Sequence, residues 1–241
     1  ITGSCGKTSL KELLGNTLNK FSSATFSPKS FNNKFGVPLS LFNLNLKHKN
    51  GVFEVGMDKK GEIEFLSKIV NPDIGVITNV SYAHAKNFKN IKQIAMAKGE
   101  IINNIRDDGS LVLNADDKFY NFHRKIGLKK NLKIISFSMK KKGNVNLDYI
   151  KKLSKIYKLS VIINGKKKYF FVNYIYENYI KNLLATIAIL YSLENIKYLN
   201  PYIFSGNKIP EGRGDLSKIK LKDKQIFLID ESYNSNPLSL R

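Results

Sequence analysis

The sequence has no tryptophan, one cysteine and three histidines, and its 19 acidic residues are outnumbered by 40 lysines and arginines. The lone Cys5 excludes an internal disulfide and fits a reducing, cytoplasmic compartment. No stretch approaches the ~18 consecutive apolar residues of a membrane span, and the opening residues form neither a signal nor a transit peptide, so no membrane insertion is expected. Internal repeats and low-complexity segments are also lacking. The acid deficit leaves a formal net charge of +21, which raises the possibility of a nucleic-acid partner. The lysines are scattered, however. The short runs at Lys140–Lys142 and Lys166–Lys168 have no interleaved aromatics of the kind a single-strand platform needs. A solvated basic surface that attracts anionic substrates in general is the expectation, with no nucleic acid bound. With 241 residues and 42% hydrophobic content, the chain has ample length for a soluble core.

What is present is concentrated at the start. Gly3-Ser4-Cys5-Gly6-Lys7-Thr8-Ser9 runs into the helix-forming stretch Leu10 to Leu14. Two glycines allow backbone N–H groups to approach a polyanion, a helix N-terminus adds its unpaired donors, and Lys7 can reach terminal phosphates. Thr8 is placed to offer a hydroxyl to Mg²⁺. Ile1 stands where the full P-loop pattern has its first glycine, so this is a variant of that pattern. Most of the strand expected before a P-loop is missing, which suggests a piece of a longer protein.

Further along, residues 21–33 are polar and serine-rich and read as a loop, and Gly36 and Pro38 bracket a hydrophobic turn. Val52-Phe53-Glu54-Val55-Gly56 reads as a strand with one carboxylate in an apolar run, which calls for a partner such as a metal ion. The strand at 74–80 leads to Asn79 and His84 at its carboxyl end, where open α/β sheets collect ligands. An amphipathic helix over 91–104 sets Lys98 among small residues, and desolvation there would lower the pKa of its amine. Strands alternating with helices to residue 137 predict an α/β fold with a mainly parallel, doubly wound sheet. Short strands near 145–150, 158–163 and 168–172, the last two joined at Asn164-Gly165, predict a small antiparallel appendage. A long helix over 179–193 follows. After a polar linker near 211–214, a strand at 225–230 reads as the first strand of a second, Rossmann-like domain that has begun and been cut. The expected division is a P-loop domain at 1–213 and the start of another at 214–241.

Several of these segments resemble the motifs of one family, in its order. They are Thr2-Gly3-Ser4-Cys5-Gly6-Lys7-Thr8, Asn32-Asn33-Lys34-Phe35-Gly36-Val37-Pro38, Glu54-Val55-Gly56, Asn79 with His84, Ala97-Lys98-Gly99-Glu100-Ile101, Asn114-Ala115-Asp116-Asp117, Gly212-Arg213, and Asp230 through Pro237. The family is the Mur ligases, and the resemblance covers the whole chain. The forms at 32–38, 79–84 and 233–237 are similar to those of the member that adds D-alanyl-D-alanine to UDP-N-acetylmuramoyl-tripeptide.

The resemblance implies the central ATPase domain and the opening of the C-terminal domain of a peptidoglycan-precursor ligase. ATP would phosphorylate the tripeptide carboxylate, and the D-alanyl-D-alanine amine would attack the resulting acyl phosphate. It further implies that Gly3, Ser4, Cys5, Gly6, Lys7, Thr8 and Ser9 hold phosphates, and that Asn182, Arg213 and Asp230 contact the nucleotide. Thr8 and Glu54 would hold one Mg²⁺, and His84 with a carbamylated Lys98 a second. Lys7, Glu54, His84 and Lys98 would be the catalytic set, and Tyr233, Asn234 and Asn236 would face the substrates. A monomer is expected. Asn178-Tyr179 stand where the family usually has His-Asn, a departure on the adenine side. Other readings are a Mur or folylpolyglutamate-type ligase with a different amine acceptor, a basic P-loop nucleic-acid-binding protein, and a non-enzymatic remnant.

Overall fold

The structure is a computed structural model in which residues 1–82, 87–221, 224–230 and 232 are described. Helix α1 (Lys7–Leu18) follows the P-loop directly. Next come β1 (Ala24–Phe26), α2 (Gly36–Phe42), β2 (Asn50–Val52), α3 (Glu62–Val70) and β3 (Ile74–Ile77). Helix α4 (Ile91–Gly99) tightens into a 3₁₀ turn over Glu100–Asn104, followed by β4 (Ser110–Asn114), α5 (Tyr120–Lys129) and β5 (Lys133–Ser138). Strands β6 (Val145–Leu153), β7 (Ile156–Ile163) and β8 (Lys166–Val172) precede the long α6 (Glu177–Ser192). A hairpin of β9 (Asp215–Leu221) and β10 (Lys224–Asp230) comes last.

The main sheet has the order β3-β4-β5-β6-β7-β8, parallel from β3 to β6 and antiparallel from β6 to β8. The predicted antiparallel segment is therefore present, and it extends the parallel sheet through the β5–β6 pairing. Asn164 and Gly165 both take positive φ, 46° and 81°, as a two-residue hairpin turn demands. β1 and β2 form a parallel pair of their own. Ile1 and Thr2 lie between that pair and β3. Ile1 N donates to Phe53 O and Val55 N to Ile1 O, while Thr2 N donates to Val76 O and Thr78 N to Thr2 O. The backbone leading into the P-loop is thus the seam that joins the two sheets.

Side chains alternate across β4, which sends them into two cores. Val112 joins the core under α1 and α6, which also holds Leu10, Leu14, Leu183 and Leu190. Leu111 and Leu113 join the opposite core, with Ile63 and Leu66 of α3 and Ile94 and Ala95 of α4. Helices on both faces make the sheet doubly wound, as expected. Its parallel strands therefore deliver their carboxyl ends, and the loops after them, to one edge where a ligand can collect.

Five local expectations change. The strand read at 52–56 is Asn50–Val52, so Glu54 stands just past its end. The serine-rich loop contains β1, because Ala24–Phe26 find a parallel partner in β2 that overrides their polar surroundings. The bracketed turn at Gly36 is the first turn of α2, where Pro38 costs nothing because helical N–H groups are unpaired there. The helix expected at 179 begins at Glu177, so Asn178 and Tyr179 belong to its first turn. β10 has an antiparallel partner, β9, in the stretch that follows the polar linker. Among the described residues no helix is long and apolar enough to cross a membrane.

Candidate nucleotide-binding site

The P-loop is shaped by contacts that only small residues permit. A Cβ on Gly3, whose φ is +147°, would stand 1.9 Å from Thr78 Oγ1. A Cβ on Gly6, at φ +80°, would stand 3.0 Å from Asn182 Oδ1 of α6. Both positions need glycine for conformation as well as for space. The loop is clamped from the end of β3. Asn79 Oδ1 accepts from Cys5 N, while Asn79 Nδ2 and Thr78 Oγ1 both donate to Cys5 O. Asn79, expected near the chemistry from its position after a strand, serves as a brace of the loop. Lys7 folds back so that Nζ donates to Gly3 O at 2.9 Å. Burial lowers the Lys7 pKa, against the pull of Glu54 and Cys5, and Arg213 lowers it further.

Glu54 is 1% exposed, and both of its carboxylate oxygens are engaged. Thr8 Oγ1 donates to Oε2 at 2.7 Å and Asn32 Nδ2 donates to Oε1 at 2.7 Å. Ser30 Oγ lies 3.1 Å from Thr8 Oγ1 and accepts from Arg213 Nη2 at 3.0 Å. Lys7, Thr8, Glu54, Asn182 and Arg213 all line a single cleft of about 1390 Å³. Typical small-molecule pockets measure ~300–1,000 Å³, so this one has room for more than a nucleotide.

Among the described residues no group of three or more His, Cys, Asp or Glu could hold a metal. One carboxylate beside one hydroxyl still suits Mg²⁺, which takes few protein ligands and completes its shell with phosphate oxygens and water. Thr8 and Glu54 fit that requirement. His84, Tyr233, Asn234 and Asn236 lie outside the described residues.

Lys98 is 2% exposed and does not line the cleft. It is sealed on α4, within electrostatic reach of Lys7 and Cys5. Burial drives its amine well below the ordinary lysine range, and Lys7 pushes the same way while Cys5 opposes. Asp230, at the end of β10, also stands off the cleft lining, although Gly214 and Ile229 beside it belong to that lining. Hydrogen bonds from the side chain and backbone of Ser232 lower the Asp230 pKa.

Sequence reasoning missed several residues that organise this region. Lys11 is fully buried and donates to Ser27 O and Lys29 O, both at 2.5 Å, besides pairing with Glu12 at 2.8 Å. It thereby holds down the loop that carries Ser30 and Asn32. Asp117 accepts from Val80 N at 2.8 Å and fixes the backbone just after Asn79. His123, 2% exposed, meets Ala95 O of α4 at 2.9 Å, three residues before Lys98.

Burial lowers the His123 pKa, with the Ala95 carbonyl and Asp117 opposing and Lys98 adding to the depression. An unfolded histidine binds its proton below about 6.5, so the unfolded chain gains protons that the folded one refuses. Stability is therefore expected to fall as the pH drops through that value. Urea midpoints at pH 7.5 and 5.5 measure the slope, and His123→Gln, which keeps a donor for Ala95 O, should flatten it. An unchanged slope in the variant would remove His123 as the source.

Residues 1–190 match the family model described as the Mur ligase middle domain. The chain belongs to the Mur ligase family. Across its whole length it is 34% identical to the UDP-N-acetylmuramoyl-tripeptide--D-alanyl-D-alanine ligase of Buchnera aphidicola subsp. Acyrthosiphon pisum, over 52% of that protein. Among solved Mur ligases, MurF from Acinetobacter baumannii superposes with a TM-score of 0.86 at 29% identity, covering 99% of this chain and 51% of that one. MurF ligase from Thermotoga maritima, a complex with ADP, gives 0.87 at 25% identity, covering 99% and 54%. The chain spans about half the length of the curated Mur ligases it matches.

Proposed function

We propose that this chain is the ATP-handling part of a cytoplasmic, monomeric ligase that joins D-alanyl-D-alanine to UDP-N-acetylmuramoyl-tripeptide. The observation that carries the reading is the interlocked set Thr8–Glu54–Asn32 beneath a glycine-shaped loop, in a Mur ligase whose relatives in Buchnera and Rickettsia bear that activity in their names. On this reading residues 1–213 form the central domain and 214–241 open the next.

A carboxylate is a poor acylating agent, so the tripeptide carboxylate oxygen must first attack the γ-phosphorus of ATP. The bond to the ADP oxygen breaks and an acyl phosphate forms. The amine of D-alanyl-D-alanine then attacks the acyl carbon, inorganic phosphate leaves and the amine proton passes to solvent. The protein's task is positioning and charge neutralisation. Backbone N–H groups of Gly6, Lys7 and Thr8 receive the phosphates, while those of Ser4 and Cys5 are held by Asn79. Lys7 exchanges its internal contact with Gly3 O for a phosphate oxygen, while Asn182 of α6 and Arg213, just before β9, line the same cleft. Thr8 and Glu54 would hold a Mg²⁺ ion, which when bound offsets charge on the transferred group. On the Mur ligase pattern Lys98, as a carbamate, together with His84 would serve a second ion, for which its buried amine must come to the cleft.

Phosphate release by the complete protein tests this, with ATP, Mg²⁺ and UDP-N-acetylmuramoyl-tripeptide, with and without D-alanyl-D-alanine. Glycine, glutamate and lysine serve as comparison amines. Release that requires both the tripeptide and the dipeptide is expected. Release with another amine alone would keep the ligase chemistry and replace the acceptor, and none with any amine would overturn the reading.

A further inference from the structure

We propose that Ser30 is a positioning residue that ties the segment at Arg213 to the occupancy of the cation site formed by Thr8 and Glu54, an inference that rests on the nucleotide-site reading above. Its basis is the number of protons available. An ionised carboxylate only accepts hydrogen bonds, a guanidinium only donates, and a hydroxyl has one proton and two lone pairs. Thr8 gives its proton to Glu54 Oε2. Its contact with Ser30 must therefore run the other way, with Ser30 donating and Thr8 accepting. Ser30 in turn accepts from Arg213. The result is a one-way chain, Arg213 to Ser30 to Thr8 to Glu54, that links a residue just before β9 to the floor of the phosphate site.

A cation that takes a lone pair each from Thr8 and Glu54 competes with the Thr8 proton for Glu54 Oε2 and weakens that hydrogen bond. The nearest replacement is Ser30 Oγ, which has a second lone pair beside the one that serves Arg213. The chain then reverses at Thr8, and the proton Ser30 had donated becomes free to point at a phosphate oxygen. Ser30 keeps Arg213 in both states and gains a link to the ligand in the second. Alanine has neither capacity, while threonine has both.

The position of Ser30 is itself enforced. Lys11 grips the carbonyls of Ser27 and Lys29, and Asn32, two residues after Ser30, is held by Glu54. The serine therefore cannot drift when its partners rearrange. The segment that Arg213 anchors also lines the cleft, through Lys208, Ile209, Pro210, Gly212 and Gly214.

The test is amide hydrogen exchange at residues 208–214, with ADP alone, with Mg²⁺ plus ADP, and with neither, in the wild type, Ser30→Ala and Ser30→Thr. Loss of a hydrogen bond to a charged group predicts about tenfold faster exchange in ligand-free Ser30→Ala. In the wild type, Mg²⁺ with ADP should slow exchange beyond ADP alone. Ser30→Ala should lose that increment while still binding ADP, and Ser30→Thr should restore it. Equal exchange in all three ligand-free proteins, or an undiminished metal increment in Ser30→Ala, would overturn the coupling. If calorimetry finds no binding of ADP to the wild type with Mg²⁺, the nucleotide-site reading fails and the coupling fails with it. If ADP binds but exchange does not respond, only the coupling fails.

Discussion

Lys98→Ala is expected to reduce turnover of the complete ligase by roughly 10²–10³-fold, the range for removing one preorganised electrostatic group from an active site. Acetate or another short carboxylate should restore part of it. Lys98 is buried and its pKa is driven well below the ordinary lysine range, which favours the neutral, nucleophilic form of its amine. Attack on CO₂ forms an N–C bond, releases one proton and leaves an anion. Repulsion from Lys7, which disfavours the protonated amine, becomes attraction once that anion exists. Lys98→Met preserves the aliphatic stem and separates charge from packing. It should unfold at the same urea concentration as the wild type and be equally inactive. Full turnover in either variant would exclude the carbamate, and ¹³C NMR with labelled bicarbonate should show a carbamate signal that both variants lack.

Glu54→Gln should raise the Mg²⁺ concentration needed for nucleotide binding by roughly 10–100-fold, at least the effect of disturbing a ligand's supporting contacts. Affinity for ADP without metal should change by less than about threefold, because the P-loop backbone and Lys7 remain. The substitution is nearly isosteric, and one amide oxygen can still accept from either Asn32 or Thr8. The NH₂ group then faces the other donor, and Thr8 can turn towards Ser30 at 3.1 Å. Isothermal titration across a Mg²⁺ series separates the two effects. An equal loss with and without metal would mean that Glu54 supports the loop and does not serve the cation.

The parts of this molecule that could be read in advance are those where chemistry and pattern coincide. Glycines in a phosphate turn and a carboxylate in the apolar run around Glu54 have few bland explanations. Leu111, Val112 and Leu113 announce a strand buried on both faces, and the structure sends them alternately into both cores. β1 was hidden because its stability comes from pairing with a strand 26 residues away, and no local signal reports that. α2 was hidden because Gly36 and Pro38 punctuate turns as often as they begin helices. Lys11 was lost among 40 cations, since only burial distinguishes it. Ser30 sits in a serine-rich stretch that reads as solvated loop, and its contacts come from residues 22 and 183 positions away. Lys98 drew notice for its small neighbours, and the structure adds that it is sealed off from the cleft.

The seam at Ile1 and Thr2 gives the nucleotide a second role. Four backbone hydrogen bonds there close the gap between the β1–β2 pair and the main sheet, and the same backbone continues into the phosphate loop. A polyphosphate held by that loop favours the closed seam by mass action, by ~2.7 kcal/mol when its concentration is a hundred times its dissociation constant. A nucleotide bound there would work as a clasp on the fold. Where nucleotide is scarce that increment is lost, so the fold's resistance to unfolding and proteolysis, and with it the protein's abundance, would follow the nucleotide supply.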